Sequence, residues 1–359
     1  MSSGGDGVSG AALVEAVAAI FAAAGIAPAD AALVAEDLVA ADVEGVASHG
    51  VNLVPMYVDR IRAGSVSKAS GGEIVSDRDA AVVIDARDAL GQLTARQAVA
   101  LAVDRARRHG LAAASVRNAF HFGTAGRYAR MMADQGCVGV VMSNTRPLMP
   151  APGGAEPLTG NNPIAIVAPS DAAFSPEIDM ALSAVAMGRI RNAAASGQSI
   201  PAGWAADQSG AATTDPKAAI AGMLLPAAGP KGFGLAFLVD LLCGGLSDGA
   251  IGAEVAPLYG DPVRPYRCAQ LFLAIDVGHF VAPGAFAARA RTELDRVAAS
   301  RRAPGVDRVY APGELAFAAR REAGDRCRVA PAALNALVEA GRVLGVDVQS
   351  MLSSPRSIT

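Results

Sequence analysis

Apolar residues recur every three to four positions through Leu13, Val17, Ile20, Phe21 and Ala24, a helical period that Gly25 stops. Pro28 suits the first turn of a second helix, in which Leu33, Asp37-Leu38 and Ala41 follow. A third runs through Pro55, Tyr57, Val58 and Ile61 to Gly64, so residues 11–64 read as a helical unit. The pattern then changes. Residues 80–86, 111–116 and 138–143 are short β-rich runs, and 163–169 and 177–180 predict further short strands. Between them, 92–109 and 123–135 are amphipathic helices closed by Gly110 and Gly136. Alternation of strand and helix from 80 to 180 predicts an α/β layer architecture. Residues 192–217 read as a loop punctuated by Gly197, Pro201, Gly203, Gly210 and Pro216. Beyond it lie an apolar helix over 232–243, a strand over 270–277, and amphipathic helices over 285–299 and 331–344. The Gly/Ser-rich start, residues 1–10, reads as a disordered tail.

Composition narrows the class. Over 359 residues, 52% are hydrophobic but only 4% aromatic, so the core is built from Ala, Val, Leu and Ile rather than from rings. A net charge of −3 and the lack of a dense Lys/Arg block argue against a nucleic-acid partner. The first apolar run contains Glu15 and no Lys or Arg precedes Arg60, so the basic start of a signal peptide is missing. No apolar run reaches the roughly 18 residues of a membrane span. Cys137, Cys243, Cys268 and Cys327 are far apart, with no CxxC, which suits free thiols in a reducing cytoplasm.

Candidate chemistry concentrates in two stretches. Ser48-His49-Gly50 sits at a helix–helix junction, where an imidazole titrating near neutrality adjoins a hydroxyl and a flexible glycine. Phe120-His121-Phe122 follows a strand and precedes a helix, the place where ligands meet the sheet in α/β proteins. Taken alone, either histidine fits a packed core residue equally well. Gly229-Pro230-Lys231-Gly232 opens a helix with backbone N–H groups and one ammonium, a setting for phosphate, yet a plain turn fits it better. Gly245-Leu246-Ser247-Asp248-Gly249 matches GxSxG, but a helix rather than a strand precedes it, against a serine hydrolase. Asp179 stands at a strand end, where it could orient a ligand hydroxyl or cap a helix. The four histidines are scattered, so no metal is expected, and no GxGxxG occurs.

Together these stretches resemble the malate/L-lactate/L-sulfolactate dehydrogenase family, which includes ureidoglycolate dehydrogenase and diketogulonate reductase. The resemblance spans about residues 12–345. It rests on Ser48-His49-Gly50 with Tyr57, residues 118–123, Ser143-Asn144-Thr145, Gly160-Asn161-Asn162-Pro163, Ile178-Asp179-Met180-Ala181, Ile200-Pro201-Ala202-Gly203-Trp204-Ala205, Thr213-Thr214-Asp215-Pro216, Lys231-Gly232 and Pro312-Gly313-Glu314. It implies a non-Rossmann nicotinamide-binding α/β domain, with a helical subdomain built from the N- and C-terminal parts. The corresponding division is a tail over 1–10, a helical part over 11–78, the NAD(P)-binding and substrate domain over 79–280, and C-terminal helices over 281–359 packing back on the N-terminal part.

The resemblance implies hydride transfer between NAD or NADP and a 2-hydroxy acid, giving the 2-oxo acid, in a cytoplasmic homodimer. His49 and His121 match acid/base histidines, and Ser48 beside it favours His49 as the proton carrier. Ser48 and Tyr57 match the substrate pocket. Thr145, Asp179, Met180, Ala181, Lys231, Gly232, Gly313 and Glu314 match cofactor-contacting positions. Family members often carry an arginine five residues after the motif serine to hold the substrate carboxylate; here that position is Leu53, and Arg117 or Arg146 are the candidate substitutes. Reduction of a cyclic imino acid such as piperideine-2-carboxylate, or ligand binding without catalysis, are the alternatives.

Overall fold

The computed structural model describes residues 7–353. The chain opens with a two-residue strand, β1 (Val8–Ser9), paired antiparallel with Arg326–Cys327. The tail expected over 1–10 therefore holds structure from Val8 onward, because backbone pairing and the Ser9 hydroxyl, which accepts the Ala12 N–H, fix the start of α1 (Gly10–Ala23). Residues 1–6 lie outside the described residues. Helix α2 (Pro28–Val43) opens on its proline and packs along α1. Two 3-10 turns, Ala47–His49 and Val51–Leu53, lead into α3 (Val54–Ala63), which Gly64 ends in the left-handed conformation.

The strands follow. β2 (Glu73–Arg78) pairs with β3 (Ala81–Asp85), and α4 (Gly91–His109) leads to β4 (Leu111–Ala119). Helix α5 (Ala125–Ala133) precedes β5 (Cys137–Ser143). Next come the short pair β6 (Met149–Pro150) and β7 (Pro157–Thr159), then β8 (Ile164–Val167) and β9 (Glu177–Met180). The stretch expected as loop holds the end of α6 (Met187–Ala195), the two-residue strands β10 (Ala205–Ala206) and β11 (Ala212–Thr213), and the start of α7 (Pro216–Ala221), before β12 (Met223–Leu224). Helix α8 (Pro230–Asp240) runs into a π-turn, Leu241–Gly245, and the chain returns to the sheet through β13 (Cys268–Asp276). Helices α9 (Pro283–Ala298) and α10 (Glu314–Ala323), strand β14 (Arg326–Cys327), and helices α11 (Pro331–Val343) and α12 (Val348–Ser353) complete it. Helix α11 packs against α3, α12 against α1, and α10 against α2.

The principal sheet has the order β2-β3-β4-β13-β5-β8-β9, and of its strand pairs only β3 and β4 run parallel. A doubly wound parallel nucleotide fold is thereby ruled out. Side chains along β13 alternate between two cores, as the two-residue period of a strand requires. Cys268, Phe272 and Ala274 face the core shared with α4 and α5, together with Ala112, Ala114 and Val116 of β4. Ala269 and Leu271 face a second core with Ile190, Ala236 and Val239.

Two buried polar clusters join helices to this frame. Asp37 on α2 receives Arg96 of α4 through Nε (3.0 Å) and Nη2 (2.6 Å), and also receives Arg127 of α5. Arg60 on α3 has no carboxylate in salt-bridge contact among the described residues. Its guanidinium donates to the carbonyls of Pro257, Leu258 and Arg264, and so ties the loop before β13 to α3.

Candidate active site

Both motif histidines open onto one cleft of about 430 Å³. Asp42, near the end of α2, accepts the Val51 N–H at 2.7 Å and so fixes the turn that carries His49. A side chain at Gly50 would collide with that carboxylate, which explains the glycine. Burial pushes the Asp42 carboxyl up to about 6, against the pull of the Val51 N–H. Across the cleft, His121 follows β4. Gly91, the first residue of α4, lies so close to the Phe120 and His121 carbonyls that a Cβ would clash with them. That close approach brings Gln92 beneath the histidine.

The two imidazoles face each other with centroids 5.4 Å apart and planes inclined by 30°. Each uses Nδ1 on a protein hydroxyl: His49 with Ser48 Oγ at 2.9 Å, His121 with Tyr57 Oη at 2.8 Å. The Tyr57 hydroxyl also lies 3.0 Å from the His121 carbonyl and accepts from Gln92 Nε2 at 3.2 Å. If the phenol hydrogen goes to the carbonyl, the oxygen has a lone pair for an Nδ1–H, and Nε2 of His121 is left as an acceptor. Burial, then the charge of His49, lowers His121 to about 3. Burial lowers His49 also. In both rings burial disfavours the charged form.

The remaining wall is polar. Thr145 lines it, with its N–H on Asn162 Oδ1 (2.9 Å) and its Oγ1 on Asn161 Oδ1 (3.0 Å). Asp179 shows surface to the cleft while protein encloses its other sides. That enclosure raises its carboxyl to about 6, opposed by the Gly126 N–H (2.9 Å) at the start of α5 and by Arg130. Arg130 bridges Glu44 and Glu177, both cleft residues. Met180 and Ala181 continue this wall, and Tyr266 and Cys268 close the histidine end.

Other expected site residues lie elsewhere. Tyr57 is fully buried behind His121 and does not line the cleft, because its hydroxyl is taken up by His121 and Gln92. Arg117 on β4 is paired with Asp85 (3.0 Å) and Asp248 (3.3 Å), and is not a cleft residue. Lys231 is exposed in the first turn of α8, and Gly232 lies against the Ala227 carbonyl. The preceding segment pairs with the continuation of the cleft wall, through Ala227 N–H to Leu182 O and Ala184 N–H to Leu225 O. Gly313 caps α10 against Glu177, and Glu314 is bonded to the Ala311 N–H and Arg308. Ser247 of the GxSxG match is buried and donates to the Cys243 carbonyl, so it is no nucleophile.

Sequence reading missed Gln92, Tyr266, Glu44 and Arg130. Gln92 carried one signal, a polar residue in the apolar phase of α4. Tyr266 carried none, standing in an irregular loop. Among the described residues, no group of three or more His, Cys, Asp or Glu side chains could hold a metal ion, and no helix is long and apolar enough to cross a membrane.

Residues 8–337 match the malate/L-lactate dehydrogenase family. The chain belongs to this family. A solved sulfolactate dehydrogenase from Methanocaldococcus jannaschii superposes with a TM-score of 0.90 at 30% identity, covering 96% of this chain and 98% of that one. Ureidoglycolate dehydrogenase (NAD(+)) of Escherichia coli O157:H7 is 34% identical over 81% of this chain and 83% of its own length. (2R)-3-Sulfolactate dehydrogenase (NADP(+)) of Chromohalobacter salexigens is 36% identical over 70% and 75%. Membership in the malate/L-lactate dehydrogenase family accords with the mixed sheet and the missing GxGxxG, and its relatives are named as dehydrogenases of hydroxy acids.

Proposed function

We propose that the chain is an NAD(P)-dependent oxidoreductase that interconverts a small 2-hydroxy acid and its 2-oxo acid. The observation that carries this reading is the facing pair His49–His121 at one end of a cleft whose other wall is Thr145 and Asp179. The wall fits a nicotinamide nucleotide through its hydroxyl and carboxylate groups. Thr145, Asp179, Met180 and Ala181 would hold it. Bound there, the nicotinamide accepts or supplies the hydride.

The chain's own groups move the proton. In the oxidation direction a neutral imidazole takes the substrate hydroxyl proton, and in reduction the imidazolium returns it. On sequence alone, the neighbouring Ser48 favours His49 for this task. The bonds to Tyr57 favour His121, because they select the ring form whose Nε2 accepts. His49 then stands against the reacting oxygen as a second polar group, held by Ser48.

The enzyme acts as a homodimer in this reading. Along α8 and the π-turn, Leu235, Phe237, Leu238, Leu241, Leu242 and Leu246 are exposed, the last by 60%, which leaves an apolar face for a second copy. Four buried free cysteines suit a reducing cytoplasm. The test is a panel of 2-oxo acids, with piperideine-2-carboxylate beside them, offered with NADH and with NADPH. Loss of reduced-nicotinamide absorbance with a 2-oxo acid supports the reading; turnover of the cyclic imine alone, or of nothing, overturns it.

A further inference from the structure

The segment between the end of α2 and His49 is shared by two cavities. Helix α2 ends on Gly45 in the left-handed conformation (φ 75°), and the Val46 N–H returns to the Ala41 carbonyl at 2.8 Å. The chain then leaves the helix with its residues divided. Glu44, Val46, Ser48 and His49 line the cleft of the two histidines. Asp42, Val43, Gly45 and Ala47 line a second cavity, of about 500 Å³, and no residue lines both. Ala319 of α10, Arg326 of β14 and Arg328 belong to the second cavity too.

That cavity holds a buried carboxylate with one oxygen unused. Asp42 is 5% exposed. Its Oδ2 accepts the Val51 N–H, and no hydrogen bond among the described residues reaches Oδ1. No nearby cation offsets its burial, which raises the carboxyl to about 6. At neutral pH the group is therefore mostly ionised, and a buried charge stands without a counter-ion, a costly arrangement. Two cations line the same cavity. Arg326 is exposed and has no carboxylate partner among the described residues. Arg328 meets Glu322 at 3.5 Å, but both side chains are exposed, so the pair is weak.

We infer that this second cavity binds a small zwitterion of the α-amino-acid class, with its ammonium on Asp42 Oδ1 and its carboxylate on the guanidinium groups of Arg326 and Arg328. The buried end of the site calls for a cation and the exposed end for an anion, and guanidinium groups suit a carboxylate. Val43, Ala47 and Ala319 offer apolar surface for a short alkyl side chain. An ammonium on Oδ1 keeps Asp42 ionised, which strengthens its bond to the Val51 N–H. The occupant thus acts on the turn that carries His49 from the side opposite the substrate. The site stands whatever reaction the cleft performs, because its binding is measured without turnover.

The experiment is calorimetric titration of the full chain with L-norleucine, pentylamine and hexanoate, beside hydrogen exchange over residues 42–51. Norleucine carries both charges; pentylamine lacks the carboxylate and hexanoate lacks the ammonium. Wild-type protein should bind norleucine at least about tenfold more tightly than either. Asp42→Asn keeps an acceptor for the Val51 N–H but loses the charge, and should weaken norleucine on the order of 10- to 100-fold. The double variant Arg326→Gln, Arg328→Gln should weaken it by a similar factor, and Ala319→Phe, which fills the cavity from α10, should abolish binding. With norleucine bound, the Val51 amide should exchange more slowly. If norleucine binds no better than pentylamine and hexanoate, the inference is overturned. If it binds wild type, the double arginine variant and Ala319→Phe equally, it sits in the histidine cleft and the inference is again overturned. Should Ala319→Phe fail to fold, the double variant decides, since both arginines are exposed. Unchanged Val51 exchange with norleucine bound would overturn the link to His49.

Discussion

The Tyr57 hydroxyl lies 2.8 Å from Nδ1 of His121 and 3.0 Å from the same residue's carbonyl oxygen. One phenol thus fixes both the ring and the backbone of a residue 64 positions further along the chain. Tyr57→Phe removes that oxygen with little change of shape and leaves Gln92 Nε2 without its acceptor. Stability should fall by about 1–2 kcal/mol, the usual effect of deleting a buried hydrogen-bond partner. In the proposed reaction kcat should fall by roughly 10- to 100-fold while KM for the acid changes little, as expected when a proton carrier loses its orientation. A variant that lost KM and kept kcat would show that Tyr57 serves binding instead.

Replacing the rings themselves separates their roles. His121→Ala should lower kcat by roughly 10²–10⁴-fold, the range of general acid–base catalysis. His49→Ala should raise KM at least as much as it lowers kcat. The deciding measurement is the pH–rate profile of each variant. Survival of the proton-transfer limb in His121→Ala, with its disappearance in His49→Ala, would exchange the assignments.

Asp42 should make folding stability depend on pH. Its carboxyl is raised from the ordinary 3.8 to about 6 by burial. Between those values the folded chain binds more protons than the unfolded one, so this group's contribution falls as pH rises from about 4 to about 6. Asp42→Asn keeps a side-chain carbonyl for the Val51 N–H but does not titrate. Relative to wild type it should gain on the order of 2–3 kcal/mol between pH 4 and pH 7, the free energy that corresponds to raising a carboxyl from 3.8 to about 6. Urea denaturation of both proteins at the two pH values checks this, and a constant difference would exclude Asp42 as the titrating group.

Arg60 allows a prediction about one loop. Its guanidinium is buried and compensated by the carbonyls of residues 257, 258 and 264. Arg60→Met removes the donors and leaves those carbonyls unpaired, at a cost of about 2–4 kcal/mol. Hydrogen exchange should accelerate in residues 255–267 and in α3 together. If only α3 responded, the loop would be held by other contacts.

Much of the frame was legible because the period of apolar positions shows which face is buried. Helices α1 to α5 and strands β3, β5, β9 and β13 appear within a few residues of expectation. β2 was missed because it is an edge strand with almost every residue exposed, so no alternation marks it. Both histidines were found by residue type, but the company they keep was not. Tyr57 reads as one apolar position of α3, and nothing local tells that its hydroxyl meets His121 rather than substrate. Arg117 and Arg146 are equally plain cations in the sequence. Only the tertiary placement of Asp85 and Asp248 separates the engaged one from the free one.

Strand β13 gives Cys268, Phe272 and Ala274 to one core and Ala269 and Leu271 to the other, and its entry carries Tyr266 into the cleft. Changes of length therefore act differently here from changes of side chain. Deleting one residue inside β13 would turn every following side chain to the opposite face and exchange the contents of two interiors of different shape. Natural variation in length across relatives should therefore stop at the boundaries of β13, even where individual residues of the strand are exchanged freely.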